Sequence, residues 1–295
     1  MEFQKVGKPN QNITHEIKPM ELADLFIFGR LDCLLGYILI NKREIHQEYV
    51  EKLKQKLQTL VAEEHFGNRD LDILTITRKY DNLRDQQELV KLHMSFFIQI
   101  LQITEEQFWR SASIQIPNYN FHRSAILLEY HQMLALAEII RREDAIDLYK
   151  KHTDRYIIIH DTPILEKIED LETMRRRTVE FLKRGAYGRV HIVSDVEDGR
   201  YIVRRENCEK IETIPDLEDR EFVYTISCHC DFQVTKLYNE NFVLTRRYTL
   251  IEGAPYCDMV YHDTRIDKSL AHPTIEFIDN MWPLNESSRA RMLGK

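Results

Sequence analysis

Cys208, Cys228, Cys230 and Cys257 crowd into one stretch of the chain, while the fifth cysteine, Cys33, stands alone in an apolar helical run. A thiol becomes a useful nucleophile when a base or a positive charge beside it favours the thiolate. Cys228 has His229 and Asp231 as near neighbours, Cys257 is followed at once by Asp258, and Arg246 lies between the two. These residue types supply the parts of a hydrolysis: a nucleophile or activated water, a group that shuttles protons, and an anchor for an acidic substrate. Cys228, Asp231, Cys257 and Asp258 are the catalytic candidates. Arg246 is the candidate anchor, because its planar fork holds a carboxylate through two hydrogen bonds, which a lysine cannot match.

The same residues have plainer readings. Cys33, Cys208 and Cys230 are each explained as packed core thiols. Arg246 pairs equally well with Asp231 or Asp258 across a sheet, and Gly253 reads as a turn glycine demanded by its backbone. His191, His262 and His272 have surface or packing explanations. On a strand, Cys228 and Asp231 would face opposite sides, whereas a helical turn would bring them together; the sequence leaves both open.

Positioning these groups falls to two kinds of element. From 19 to about 151 the period is helical, as in Tyr49, Leu53, Leu57 and Leu60, or Leu89, Leu92, Phe96 and Ile100. Thr104 and Gln107 have the spacing of a capping box that starts a short helix, ended by Pro117 and Asn118; the next helix spans 120–142. The run 156–160 reads as a strand or a buried linker closed by Asp161, Thr162 and Pro163, and a helix follows over 164–183. Beyond Gly188 the period becomes two: 190–193 and 201–203 flank Asp198-Gly199, a hairpin signal. Further strands are expected over 222–228, 243–250 and 257–262. The expected class is α+β: a helical N-terminal half packed with a small, mostly antiparallel sheet. Three regions follow: helical 1–153, an α+β region 154–270 carrying the Cys/Asp motif, and a tail 271–295 that frays from 285.

The formal net charge of -7 carries no basic stripe, which argues against nucleic acid. The most membrane-like stretch, 22–40, contains Asp24, Arg30 and Asp32, each costing roughly 2.5 to 3.5 kcal/mol at a bilayer centre, so a buried helix is expected and no membrane partner. The N-terminus lacks the apolar core of a secretory signal, which points to the cytoplasm and reduced thiols. A homo-oligomer is compatible with all of this.

Outward from Cys228, the series Arg204 or Arg205 with Cys208, Cys228 with Asp231, Tyr238 with Asn239, Arg246, Thr249 with Leu250, Gly253, and Cys257 with Asp258 resembles the L-2-amino-thiazoline-4-carboxylic acid hydrolase family over 204–262. It departs from the family pattern at Glu240, Arg247, Ala254 and Met259-Val260-Tyr261. The resemblance implies a hydrolase that opens the C–N bond of a cyclic amidine or thiazoline in a small carboxylate. Cys208, His229, Arg246, Thr249 and Gly253 would then line the substrate, with no cofactor. Two rivals use the same residues. Cys208, Cys228, Cys230, Cys257 and His229 or His262 supply enough ligands for one zinc, although paired Cys-x-x-Cys spacing is missing. A small-molecule sensor domain would need no thiolate.

Overall fold

The structure, a computed structural model, describes residues 1–10, 12–63, 65–66, 69–160, 165–185, 188–286 and 289–290. The chain divides into two units, one comprising Thr14–Tyr156 with Thr225–Ser227, the other Met1–Ile13, Ile157–Tyr224 and Cys228–Lys295.

Strand β1 (Phe3–Val6) precedes the helical unit, which runs through β2 (Thr14–Ile17), α1 (Pro19–Ala23), α2 (Gly29–Asn41), α3 (His46–Leu60), α4 (Asp70–Thr77), α5 (Gln87–Leu101), α6 (Glu105–Trp109), β3 (Ile114–Pro117) and α7 (Asn118–Ala137) into α8 (Arg142–His160). The expected periods hold: Tyr49, Leu53 and Leu57 recur every fourth residue along α3 and are all fully buried. The capping box on α6 also forms, Thr104 and Gln107 exchanging hydrogen bonds of 3.1 and 2.9 Å. Two expectations fail. Pro117 ends a short strand paired with β2 and, still extended, is the N-cap of α7, since proline's fixed φ suits extended backbone just ahead of a helix. The run 156–160 is the last turn of α8: Tyr156 and Ile157 are buried while Ile158 and Ile159 are half exposed, a helical pattern and not an alternation. Residues 161–164 lie outside the described residues.

The other unit continues with α9 (Leu171–Lys183), β4 (His191–Ser194), β5 (Arg200–Arg205), α10 (Glu209–Glu212), α11 (Arg220–Ser227), α12 (Cys230–Tyr238), β6 (Phe242–Thr245), β7 (Cys257–Asp263) and α13 (Ile275–Asn280). Five strands form one antiparallel sheet in the order β1-β4-β5-β7-β6, so the α+β class stands. Asp198 and Gly199 turn the β4–β5 hairpin with both φ angles positive. A Cβ on Gly199 would lie 2.7 Å from that of Ile266, so only glycine fits.

The strand expected over 222–228 is instead α11. Asp219 caps it by accepting the Phe222 N–H at 3.1 Å, and Phe222, Val223 and Ile226 are buried at helical spacing; the cap and the period override the strand-forming side chains. The strand expected over 243–250 stops at Thr245, and the helix expected from 164 begins at Leu171, capped by Asp170.

Alternation gives the sheet two faces. On the first, Val193, Tyr201, Val203, Leu244 and Met259 pack against Leu171, Met174, Val179 and Leu182 around α9. On the second, Ile192, Ile202 and Val260 pack with Tyr256, Ile278 and Met281, so α13, within the expected tail, supplies core. No described helix is long and apolar enough to cross a membrane.

Candidate active site

Cys257 and Asp258 are consecutive on β7, so the pleat sends them to opposite faces. Cys257 lies beside Arg205, which lies beside His191, making a row across three strands on the first face. Asp258 lies beside Arg204, which lies beside Ile192 on the second. Of the two arginines open in the sequence pattern, Arg205 is therefore the one on the side of the thiols.

Three of the thiols gather on that side. Cys208, just past β5, packs with Cys257 and Leu250, and the Leu250 N–H donates to Cys257 Sγ at 3.2 Å. Burial pushes the Cys257 thiol up to about 11, against the pull of Arg205. Cys228 ends α11; burial drives its thiol well above the ordinary value, although Lys210 and Arg246 act to lower it. Lys210, on α10, is the common neighbour. Burial opposes its charge, but Cys230, Cys228, Cys208 and Asp231 outweigh burial and hold its pKa above the ordinary value. Lys210 escaped the sequence reading because a single lysine in Glu209-Lys210-Ile211-Glu212 has the look of any solvated helix.

Arg246 ties the turn between α11 and α12 together. Its Nη1 donates to Asp231 Oδ2 at 2.6 Å, and its Nη2 to the Cys228 carbonyl at 2.7 Å and the Tyr224 hydroxyl at 3.3 Å. The guanidinium sits between the rings of Tyr224 and Phe232, 5.3 and 5.0 Å from their centroids. The Asp231 N–H donates to the Cys228 carbonyl at 3.2 Å, so a turn unites Cys228 and Asp231. The Arg246 side chain is 3% exposed and that of Asp231 43%: the carboxylate lies over the buried cation with its other side toward water. His229 lies in the same turn, its ring 6.1 Å from that of Phe232.

The remaining candidates shape backbone. Asp258 Oδ1 accepts the N–H groups of Arg247 and Tyr248 at 2.9 and 2.7 Å, and Oδ2 meets His272 Nε2 at 2.9 Å. Thr249 donates to Glu252 Oε2 at 2.6 Å and accepts the Glu252 N–H at 3.2 Å. Gly253 turns with φ +93°, with nothing within 4 Å of where a Cβ would sit; conformation and not space requires the glycine. Among the described residues, no group of three or more His, Cys, Asp or Glu is placed to hold a metal ion.

The first face thus combines the desolvated neutral thiols of Cys228 and Cys257, three cations and one accessible carboxylate, an arrangement suited to nucleophilic attack once a thiol proton is removed. Comparison with curated proteins and with solved structures found no match. Residues 120–261 match the family model of L-2-amino-thiazoline-4-carboxylic acid hydrolase, a match that includes Cys208, Cys228, Asp231, Arg246 and Cys257, supports a hydrolase-type function and bears out the family resemblance read from 204–262.

Proposed function

We propose that the protein hydrolyses a cyclic amidine or thiazoline of a small carboxylic acid, with Cys228 as nucleophile, Asp231 as proton carrier and Arg246 as carboxylate anchor. The observation that carries this reading is the Arg246 fork, which joins the Cys228 carbonyl to the accessible Asp231. A substrate carboxylate reaching Arg246 displaces Asp231 from Nη1. One carboxylate replaces another on the same cation, and Asp231 is released as a base beside the thiol.

The Cys228 sulfur then adds across the C=N bond of the ring, its proton passing through Asp231 to the ring nitrogen. The ring C–N bond breaks, that nitrogen leaving as an amine with a second proton from the exocyclic amino group. Water adds to the remaining carbon and expels Cys228 as the thiol. Arg205 and Lys210 lower the cost of the transient thiolate, and Cys257 and Cys208 line the site.

The test is incubation with 2-amino-thiazoline-4-carboxylate and related cyclic amidines, followed by mass spectrometry. Cys228→Ser and Asp231→Ala should each lower kcat by about 10²-fold or more, and Arg246→Ala should chiefly raise KM. Unchanged kinetics in all three would remove this site from the reaction.

A further inference from the structure

On the second face of the sheet five side chains form an unbroken line. Asp258 Oδ2 meets His272 Nε2 at 2.9 Å, His272 Nδ1 meets Thr245 Oγ1 at 2.8 Å, Thr245 Oγ1 meets His262 Nε2 at 2.8 Å, and His262 Nδ1 meets Asp267 Oδ2 at 2.7 Å. Asp258, His262 and Asp267 are buried, and the His272 side chain is 5% exposed. Each of the four contacts needs one proton between its heavy atoms. Two carboxylates bring none, two neutral imidazoles one each, and the hydroxyl one, so three protons face four contacts. Without a fourth proton one of the four contacts has none, and a ring nitrogen meets Thr245 or a carboxylate lone pair to lone pair.

We propose that this line holds one additional proton, making His272 an imidazolium, and that the proton fixes the segment that carries Arg246. His272 then donates from both nitrogens, to Asp258 and to Thr245; Thr245 donates to His262, and His262 to Asp267. Asp258 suits an anion because it already accepts two backbone N–H groups. His262 suits the neutral member: burial lowers its pKa, with His272 and Arg200 acting the same way against Asp267.

The other charged groups around the line are accounted for. Arg200 is the strand partner of His262, and Arg204 that of Asp258. Arg247 donates to the carbonyls of Pro273 and His272 at 3.3 and 3.5 Å. Asp263 is held by Arg265, and Tyr256 donates to Asp279. Asp258 is the junction with the opposite face: it grips the two amides directly after Arg246, and its neighbour along β7 is Cys257. Losing the proton weakens the His272–Asp258 bond and with it the hold on 247–248. That His272 thereby positions the reaction rests on the hydrolase reading; the proton itself does not.

The experiment is a pH titration of the 15N-labelled full chain by NMR, over about pH 5 to 9 where histidine ordinarily titrates. It follows the imidazole nitrogens of His262 and His272 and the amides of Arg247 and Tyr248. Expected are a doubly protonated His272, a neutral His262 with its proton on Nδ1, and amide shifts that follow His272 with the same midpoint. Thr245→Val, which removes the acceptor, should lower that midpoint by about one unit, a tenfold weaker hold on the proton. Two neutral rings throughout, or amides that ignore the titration, would overturn the proposal, and the wild-type titration alone decides it if Thr245→Val does not fold. None of these readouts uses turnover, so failure to open any ring bears on the hydrolase reading alone.

Discussion

Arg204 and Arg205 are neighbours on β5, and Cys257 and Asp258 are neighbours on β7, yet each pair is divided between the two faces of the sheet. On the second face Arg204 donates to Glu206 at 2.8 Å and to the carbonyls of Ile278, Asp279 and Trp282 at 2.7 to 3.1 Å, while Asp258 is satisfied by two amides and His272. On the first face, both His191 ring nitrogens and Arg246 Nε lack hydrogen-bond partners among the described residues, as Arg204 Nε does on the second, and burial keeps the thiols of Cys228 and Cys257 protonated. Both faces use arginines to hold the fold, Arg205 through Glu209 and Arg246 through Asp231 on the first; the first face differs in His191, whose two nitrogens are both unmet among the described residues. Such local inconsistency between burial and satisfaction is what a site where function and stability compete would show.

The largest effect should come from breaking the satisfied face. Arg204→Ala takes from the buried Glu206 carboxylate a cation 2.8 Å away, and should cost about 3 to 5 kcal/mol in urea unfolding. A loss below about 1 kcal/mol would show that Arg204 is not the anchor of α13.

Next in size is the contrast between strand neighbours. Asp258→Ala leaves two amides and His272 without their acceptor and should cost about 3 kcal/mol. Cys257→Ser should cost about 1 kcal/mol while reducing any ring-opening turnover. Equal losses of stability would erase the distinction between the faces.

Much of this division is legible in the sequence. Strict alternation on β7 separates Cys257 from Asp258 once that segment is read as a strand, and Asp198-Gly199 announces the hairpin that sets its neighbours. The helix at 220–227 was obscured because Phe222, Val223, Tyr224 and Thr225 are strand formers, and only the cap at Asp219 and the burial of Ile226 tip the balance. The turn that unites Cys228 with Asp231 depends on that helix, so the site could be proposed from residue types but not assembled. Lys210 and the His272 line gave little local signal: apart from Cys208 near Lys210 and Asp267 near His262, their partners come from other parts of the chain and meet through the sheet.

A smaller effect follows from the raised thiol of Cys257. Its pKa moves from 9.0 to about 11 on folding, chiefly through burial, so the folded state keeps its proton where the unfolded chain has lost it. The associated stability is fully present below pH 9.0 and is lost as pH rises to about 11, an amount of about 3 kcal/mol at most. The fall in stability over that interval should shrink by this amount in Cys257→Ser. An identical slope in both proteins would place the titrating groups elsewhere.

The finest comparison rests on His191. It is 7% exposed, it lies between Val6 and Arg205 in the sheet, and neither nitrogen has a partner among the described residues. Burial, reinforced by Arg205 and Arg189, lowers its pKa well below the ordinary value, so the ring is neutral and its polar atoms cost free energy without return. Replacing it with an apolar side chain of similar size removes that cost. His191→Leu should therefore stabilise the protein by about 1 kcal/mol in urea unfolding, whereas substitutions of polar residues on the second face all destabilise. If His191→Leu instead loses stability, the ring is structural and the first face is as fully committed to the fold as the second. If it gains stability and loses ring opening, the unspent nitrogens belong to the reaction, and the free energy they cost is what the site retains for binding its substrate.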